Sequence, residues 1–216
     1  MKTFYNHRHA EHQGSVEMFR GALVPCFEVP ARVDHVLAEL QRRKLGVVLA
    51  PSLFDDAVLT RIHSPRYLRF LATAWDQWVA LDAAHADKDI LPSVWPTRSF
   101  RTDIEPENFA AKLGLYSFDA GSPMTRGTWQ AARAGADCAL SAAQAVLDGD
   151  SAAFALSRPP GHHAGADFYG GYCFLNNAAL AAQHLRHSGI SKVAVLDVDY
   201  HHGNGTQAIL DRKSVV

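Results

Sequence analysis

Two short stretches gather the residues able to do chemistry. One is Arg158-Pro159-Pro160-Gly161-His162-His163-Ala164-Gly165, and the other is Asp197-Val198-Asp199-Tyr200-His201-His202-Gly203-Asn204-Gly205-Thr206. Imidazole is the side chain whose ordinary pKa lies nearest neutrality, so adjacent His162 and His163 can supply a base and an acid at pH 7. In an extended segment side chains alternate, which puts Asp197, Asp199 and His201 on one face and Val198, Tyr200 and His202 on the other. Neighbours on one face lie roughly 6–7 Å apart at Cα, a span that one cation bridges, so Asp199 and His201 can share a metal. Asp197 is about twice as far from His201 and is better placed to orient a neighbour. A carboxylate with an imidazole suits zinc, whose catalytic sites usually take three protein ligands and leave a position for water or substrate.

Each feature has an ordinary alternative. A His-His pair can be surface decoration, an acid at a strand end can cap a helix, and a carboxylate–histidine pair can be structural. Packing needs do not readily produce two such pairs, each after a strand, each flanked by glycine, one preceded by alternating aspartates. The sequence holds no GxSxG elbow and no HExxH helix, and Cys26, Cys138 and Cys173 have no evident activating partner. A metal-activated water is the hydrolytic route that remains.

The elements that must position these residues follow from hydrophobic periodicity. Residues 2–6, 46–50, 152–157 and 192–200 read as strands. Between the first two, Val33, Val36, Leu37 and Leu40 recur at helical spacing, ending in Arg42, Arg43 and Lys44 before Gly46. A second helix begins after Pro65 with the stripe Tyr67, Leu71, Ala74, Trp75 and Trp78. Residues 86–127, broken by Pro92, Pro96, Pro106 and Pro123, read as an irregular functional segment. Ala-rich residues 128–147 and then 175–187 read as helices, the latter stopped by Gly189. Strands separated by helices imply a parallel sheet covered on both faces, an α/β domain over residues 1–216 with both chemical stretches at strand ends.

Composition sets the outer bounds. Over 216 residues, 48% are hydrophobic and the formal net charge is −1, so no nucleic-acid footprint stands out. No apolar run reaches membrane-spanning length and the N-terminus lacks a signal-peptide core, which points to a cytoplasmic protein with no membrane partner. Three scattered cysteines do not form a disulfide framework.

The blocks RPPGHHA, Gly170-Gly-Tyr-Cys-Phe-Leu-Asn-Asn-Ala-Ala179 and Val195-Leu-Asp-Val-Asp-Tyr-His-His-Gly-Asn-Gly-Thr-Gln207 resemble the signature blocks of the histone deacetylase superfamily, in the same order and at matching separations. LVPCFE and VPARVDHVL near the N-terminus, with TDIE at 102–105, look more specifically like the acetylpolyamine amidohydrolases. The resemblance implies an arginase/deacetylase-like open parallel sheet. It also implies Zn²⁺ on Asp199 and His201 (Fe²⁺ or Co²⁺ being alternatives), with His163 as general base and then acid. His162 paired with Asp197 would give electrostatic help. A structural K⁺ would lie near Asp197 and the backbone of Asp199 and His201. Tyr172 and Gly171 would line a narrow tunnel for the acylated chain. Glu105, Phe27 and Phe19 would contact a small acetylated amine, and residues 11–30 would form an insertion at a homodimer interface and the site entrance. For Phe19 and Phe27 ordinary core packing is an equal alternative.

The chain departs from the pattern in three places. The orienter of His163, often an aspartate in the superfamily, is Asn204, as in the acetylpolyamine-like branch; a neutral partner leaves His163 less basic. A second expected substrate acid falls on Gly121, for which Asp119 is a nearby substitute. Family domains continue past residue 207 to a third zinc ligand, an aspartate, and to a tyrosine that hydrogen-bonds the substrate carbonyl. The fold is therefore expected to be incomplete at the C-terminus and the chain alone nearly inactive. An acetyl-lysine protein deacetylase and a non-catalytic metal-binding remnant are the alternatives.

Overall fold

The computed structural model describes residues 1–210 apart from Arg98 and Phe100, so the terminal DRKSVV lies outside the described residues. Strand β1 (Lys2–Tyr5) is central, between β4 (Val47–Leu49) and β5 (Ala153–Leu156). Both pairings are parallel, with Lys2 opposite Val47 on one side and Ala153 on the other. Alternation along these strands gives each face its cover. Phe4, Ala153 and Ala155 pack with Cys138, Ala142 and Ala145 of helix α4 (Thr128–Leu147). Leu156, of opposite parity to Ala155, meets Val33 and Val36 of helix α1 (Ala31–Arg42). The predicted parallel sheet with helices on both faces is what forms.

The main core lies between helices. Helix α2 (Pro65–Leu81) starts where Ser64 Oγ accepts from the Tyr67 amide and Pro65 occupies its first turn. It buries Tyr67, Phe70, Leu71 and Ala74 in one cluster with residues of α4 and helix α5 (Asn177–His187), the Tyr67 and Phe70 rings lying beside Tyr116. Alanines at most inward positions of α4 let the sheet and α5 approach closely.

Three departures from the expected elements have physical causes. Inside the segment read as irregular, helix α3 (Phe109–Tyr116) buries Phe109, Leu113 and Tyr116 at i, i+4 and i+7, capped by Asn108 accepting from the Ala111 amide at 3.1 Å. Residues 11–30 contain a hairpin, β2 (Val16–Phe19) with β3 (Ala22–Pro25), whose two-residue loop has φ +50° at Arg20 and +82° at Gly21. The segment 192–200 belongs to no ladder among the described residues. Among the described residues it has no backbone hydrogen-bond partner, and Leu196, Val198 and Tyr200 are 86%, 87% and 96% exposed. Its apolar sequence suits a buried strand, but a strand exists only where a neighbour supplies the opposite donors and acceptors. No described helix is long and apolar enough to cross a membrane.

Candidate active site

The loop carrying His162 and His163 leaves β5 directly, and buried side chains fix its course. Arg158 is 2% exposed and pairs with the carboxylate of Glu28, itself 5% exposed, at 2.5 Å. The same guanidinium donates to the carbonyls of His9 at 2.7 Å and Glu28 at 3.1 Å, tying the strand end to the N-terminal segment. On the other flank, fully buried Asn176 donates to Ala164 O at 2.9 Å and Thr206 Oγ1 at 3.0 Å. Its amide N–H donates to His63 Nε2 at 3.0 Å, and His63 Nδ1–H donates to Gly165 O at 2.8 Å. Helix α6 (Asn204–Leu210) is held to the loop by the Thr206 amide on His162 O, 3.0 Å.

Both histidines are oriented by acceptors from the second chemical stretch. His162 Nδ1–H donates to Asp197 Oδ2 at 2.9 Å, and His163 Nδ1–H donates to Asn204 Oδ1 at 2.6 Å. With Nδ1 carrying the proton, the lone pair of each neutral ring sits on Nε2. The ring centroids lie 4.1 Å apart, and His201 is 6.1 Å from His163. His162, His163, Asp199, His201, Gly171 and Tyr172 line one cleft of about 430 Å³ whose further wall is Glu28, Arg32, Val33, Val36, Leu156 and Arg158.

Electrostatics separates the roles. Burial pushes His163 below the usual imidazole range, and nearby His162 and His201 add to this while the Asn204 bond and Asp199 oppose it. Burial raises the Asp197 carboxyl, yet the bonds from His162 and the Asp199 amide outweigh it and leave the group below its ordinary value. The His201 amide, donating to Asp199 Oδ1 at 2.7 Å, lowers the Asp199 carboxyl.

Asp199 Oδ1 and His201 Nδ1 stand 3.2 Å apart. Two donors about 2.0–2.1 Å from a tetrahedral ion are separated by about 3.3 Å, so this donor set fits a divalent cation of zinc's size and chemistry. Among the described residues no group of three His, Cys, Asp or Glu converges as a cation site, so two donors are what this stretch supplies.

The remaining expected site residues divide. Glu105 does not line the cleft: it accepts from Tyr116 Oη at 2.5 Å and pairs with Lys112 at 3.6 Å. Phe19 and Phe27 do not line the cleft either: their rings pack edge to face at 5.6 Å and are 44% and 59% exposed, which sets aside the core-packing alternative as well. Asp119 is no free substitute for the absent acid at Gly121. Its oxygens accept from the amides of Gly121 and Gly171 and from Ser122 Oγ. Reading the sequence also missed Glu17. It is 1% exposed and accepts from Tyr172 Oη at 2.7 Å and the Phe27 amide at 3.0 Å, linking the hairpin to the cleft wall. An acid inside an alternating strand was the available signal for it.

Residues 26–216 match the histone deacetylase domain, and the chain belongs to that family. It is 49% identical over 217 residues to acetylpolyamine amidohydrolase 2 of Pseudomonas aeruginosa, covering 100% of this chain and 62% of that protein. It is 40% identical to the acetylpolyamine amidohydrolase of Mycoplana ramosa, covering 97% of this chain and 60% of that one. The crystal structure of acetylpolyamine aminohydrolase from Burkholderia pseudomallei superposes with a TM-score of 0.89 at 36% identity, covering 97% of this chain and 59% of that chain. The chain thus spans about three-fifths of the length of these relatives.

Proposed function

We propose that this chain carries the acid–base half of a zinc-dependent amidohydrolase that removes acetyl groups from small amines, acetylpolyamines above all. The observation that carries the reading is the single cleft onto which two oriented histidines and the Asp199–His201 donor pair open. Zn²⁺ held by Asp199 and His201, with Fe²⁺ or Co²⁺ as substitutes, would supply Lewis acidity and a water of lowered pKa. His163 Nε2 takes the proton of the attacking water and returns one to the departing amine nitrogen. His162, held by Asp197 with its ring 4.1 Å from that of His163, gives electrostatic help beside the reacting groups. Gly171 and Tyr172 form the wall along which the acylated chain lies. A structural K⁺ near Asp197 and the backbone of Asp199 and His201 belongs to the same reading. So does a homodimer through the hairpin, whose Met18, Phe19, Leu23 and Phe27 are exposed.

The substrate amine follows from the likeness to acetylpolyamine amidohydrolases. One observation favours acetyl-lysine on protein instead: neither Glu105 nor Asp119 offers a free carboxylate to this cleft. With two donors described, the chain alone is expected to hold metal weakly and turn over slowly. The test is release of acetate from N-acetylputrescine and from an acetyl-lysine peptide by zinc-loaded protein, with His163→Ala alongside. Polyamine cleavage that falls by about 10²–10⁴-fold in the variant is expected. Cleavage of either substrate that is indifferent to His163→Ala sinks the reading. A wide margin for the peptide transfers it to protein substrates.

A further inference from the structure

One wall of the cleft is a strained turn. Gly170 and Cys173 exchange backbone hydrogen bonds, 3.3 Å from the Gly170 amide and 2.9 Å from the Cys173 amide. Between them φ is +53° at Gly171 and +64° at Tyr172, so both central residues of this two-residue loop are left-handed. Glycine adopts that conformation freely. A tyrosine does so only when its surroundings hold it there. Gly171 cannot be replaced without displacing the site, because a Cβ there would run into the His163 ring.

The holding group is a carboxylate from the far side of the turn. The Gly171 amide donates to Asp119 Oδ2. The Tyr172 amide donates to Ser122 Oγ at 2.9 Å, and Ser122 Oγ–H donates to the same Asp119 oxygen at 3.1 Å. The other oxygen accepts from the Gly121 amide at 3.1 Å, which fixes the carboxylate itself. With its hydrogen committed to Asp119, Ser122 has a lone pair to offer Tyr172 and is 1% exposed. The carboxylate thus takes the Gly171 amide directly and the Tyr172 amide through the Ser122 hydroxyl. Asp119 does not line the cleft.

We propose that Asp119 is a positioning residue for the candidate site. It holds Gly171 directly and Tyr172 through Ser122, and so fixes the wall against which His163 rests. This builds on the amide-hydrolysis reading of the cleft, but its structural half is testable without turnover. Amide hydrogen exchange on the uniformly ¹⁵N-labelled 216-residue chain provides the measurement. In Asp119→Ala the Gly171 and Tyr172 amides should exchange about tenfold or more faster, with Ala136 in α4 unchanged. Ser122→Ala, a smaller change, should speed Tyr172 and spare Gly171. Native protection of both amides in either variant overturns the proposal, and so does acceleration in Ser122→Ala that reaches Ala136 equally. With N-acetylputrescine, Asp119→Ala should lower kcat by about 10²-fold and leave KM near native, since a group that orients His163 acts on the reacting geometry. A raised KM with native kcat would instead make Asp119 a substrate-binding acid. With or without turnover in the native chain, the exchange result decides whether Asp119 holds the turn.

Discussion

His163 is less basic than a free imidazole chiefly because it is buried, and its orienter Asn204 brings no charge to reverse that. Asn204→Asp places a carboxylate at the same 2.6 Å contact and should raise the His163 pKa by about one unit or more. The acid limb of the pH–rate profile should move upward by that amount. An unmoved limb would mean that His163 is not the base it reports. Gly171 tests the packing of the same ring. Gly171→Ala puts a methyl group against His163 at a left-handed φ of +53°, so kcat/KM for acetylputrescine should drop about 10²-fold with the fold retained by circular dichroism. Which side chains gather at the cleft was readable from residue types and spacing. Asp197, Asp199 and His201 point to one side as alternation requires, while Leu196, Val198 and Tyr200 point to solvent. The Glu17–Tyr172 and Asp119–Gly171 contacts were not readable, because each joins segments more than 50 residues apart.

Among elements, the Arg158–Glu28 pair has the largest expected effect. Both groups are almost fully buried, and removing Arg158 leaves Glu28 with only the exposed Arg32, 3.8 Å away, as a cationic partner. Arg158→Met should therefore destabilise the chain by about 3–5 kcal/mol, seen as a lower urea midpoint, and should loosen the His162–His163 loop. A midpoint within error of the native chain would show that the pair does not anchor the strand end. The helices with strong periodicity, α1, α2 and α4, were legible nearly to their ends. Helix α3 was hidden by prolines on both sides, although Asn108 and the spacing of Phe109, Leu113 and Tyr116 carried its signal. The residues 192–200 were legible as strand-like but not as unpaired, since local sequence encodes extension whereas pairing depends on what lies alongside.

For the molecule as a whole, stability should depend on pH through two buried neutral histidines. His12, bonded through Nδ1 to Thr128 Oγ1 at 2.9 Å, is pushed by burial to about 3, with Arg158 adding to the shift. His63 is pushed by burial to about 4, against the opposing pull of the Gly165 and Ala166 backbone. Both folded values lie below the unfolded one of about 6.5, so the unfolded chain binds more protons as pH falls. Their contribution is fully present above pH 6.5 and is lost on descending toward 4 for His63 and 3 for His12. Urea midpoints should be level near pH 7–8 and fall steeply below 6, and His12→Gln should flatten part of that fall. Midpoints independent of pH between 7 and 4 would contradict the buried neutral state. The central claim is that Asp199 and His201 form a cation site facing the two histidines. Competition of zinc with a chromophoric chelator tests it most directly on the 216-residue chain. One ion per chain should bind, binding should be lost in Asp199→Asn and in His201→Ala, and it should persist in His163→Ala. Stoichiometry unchanged by the first two substitutions would contradict it.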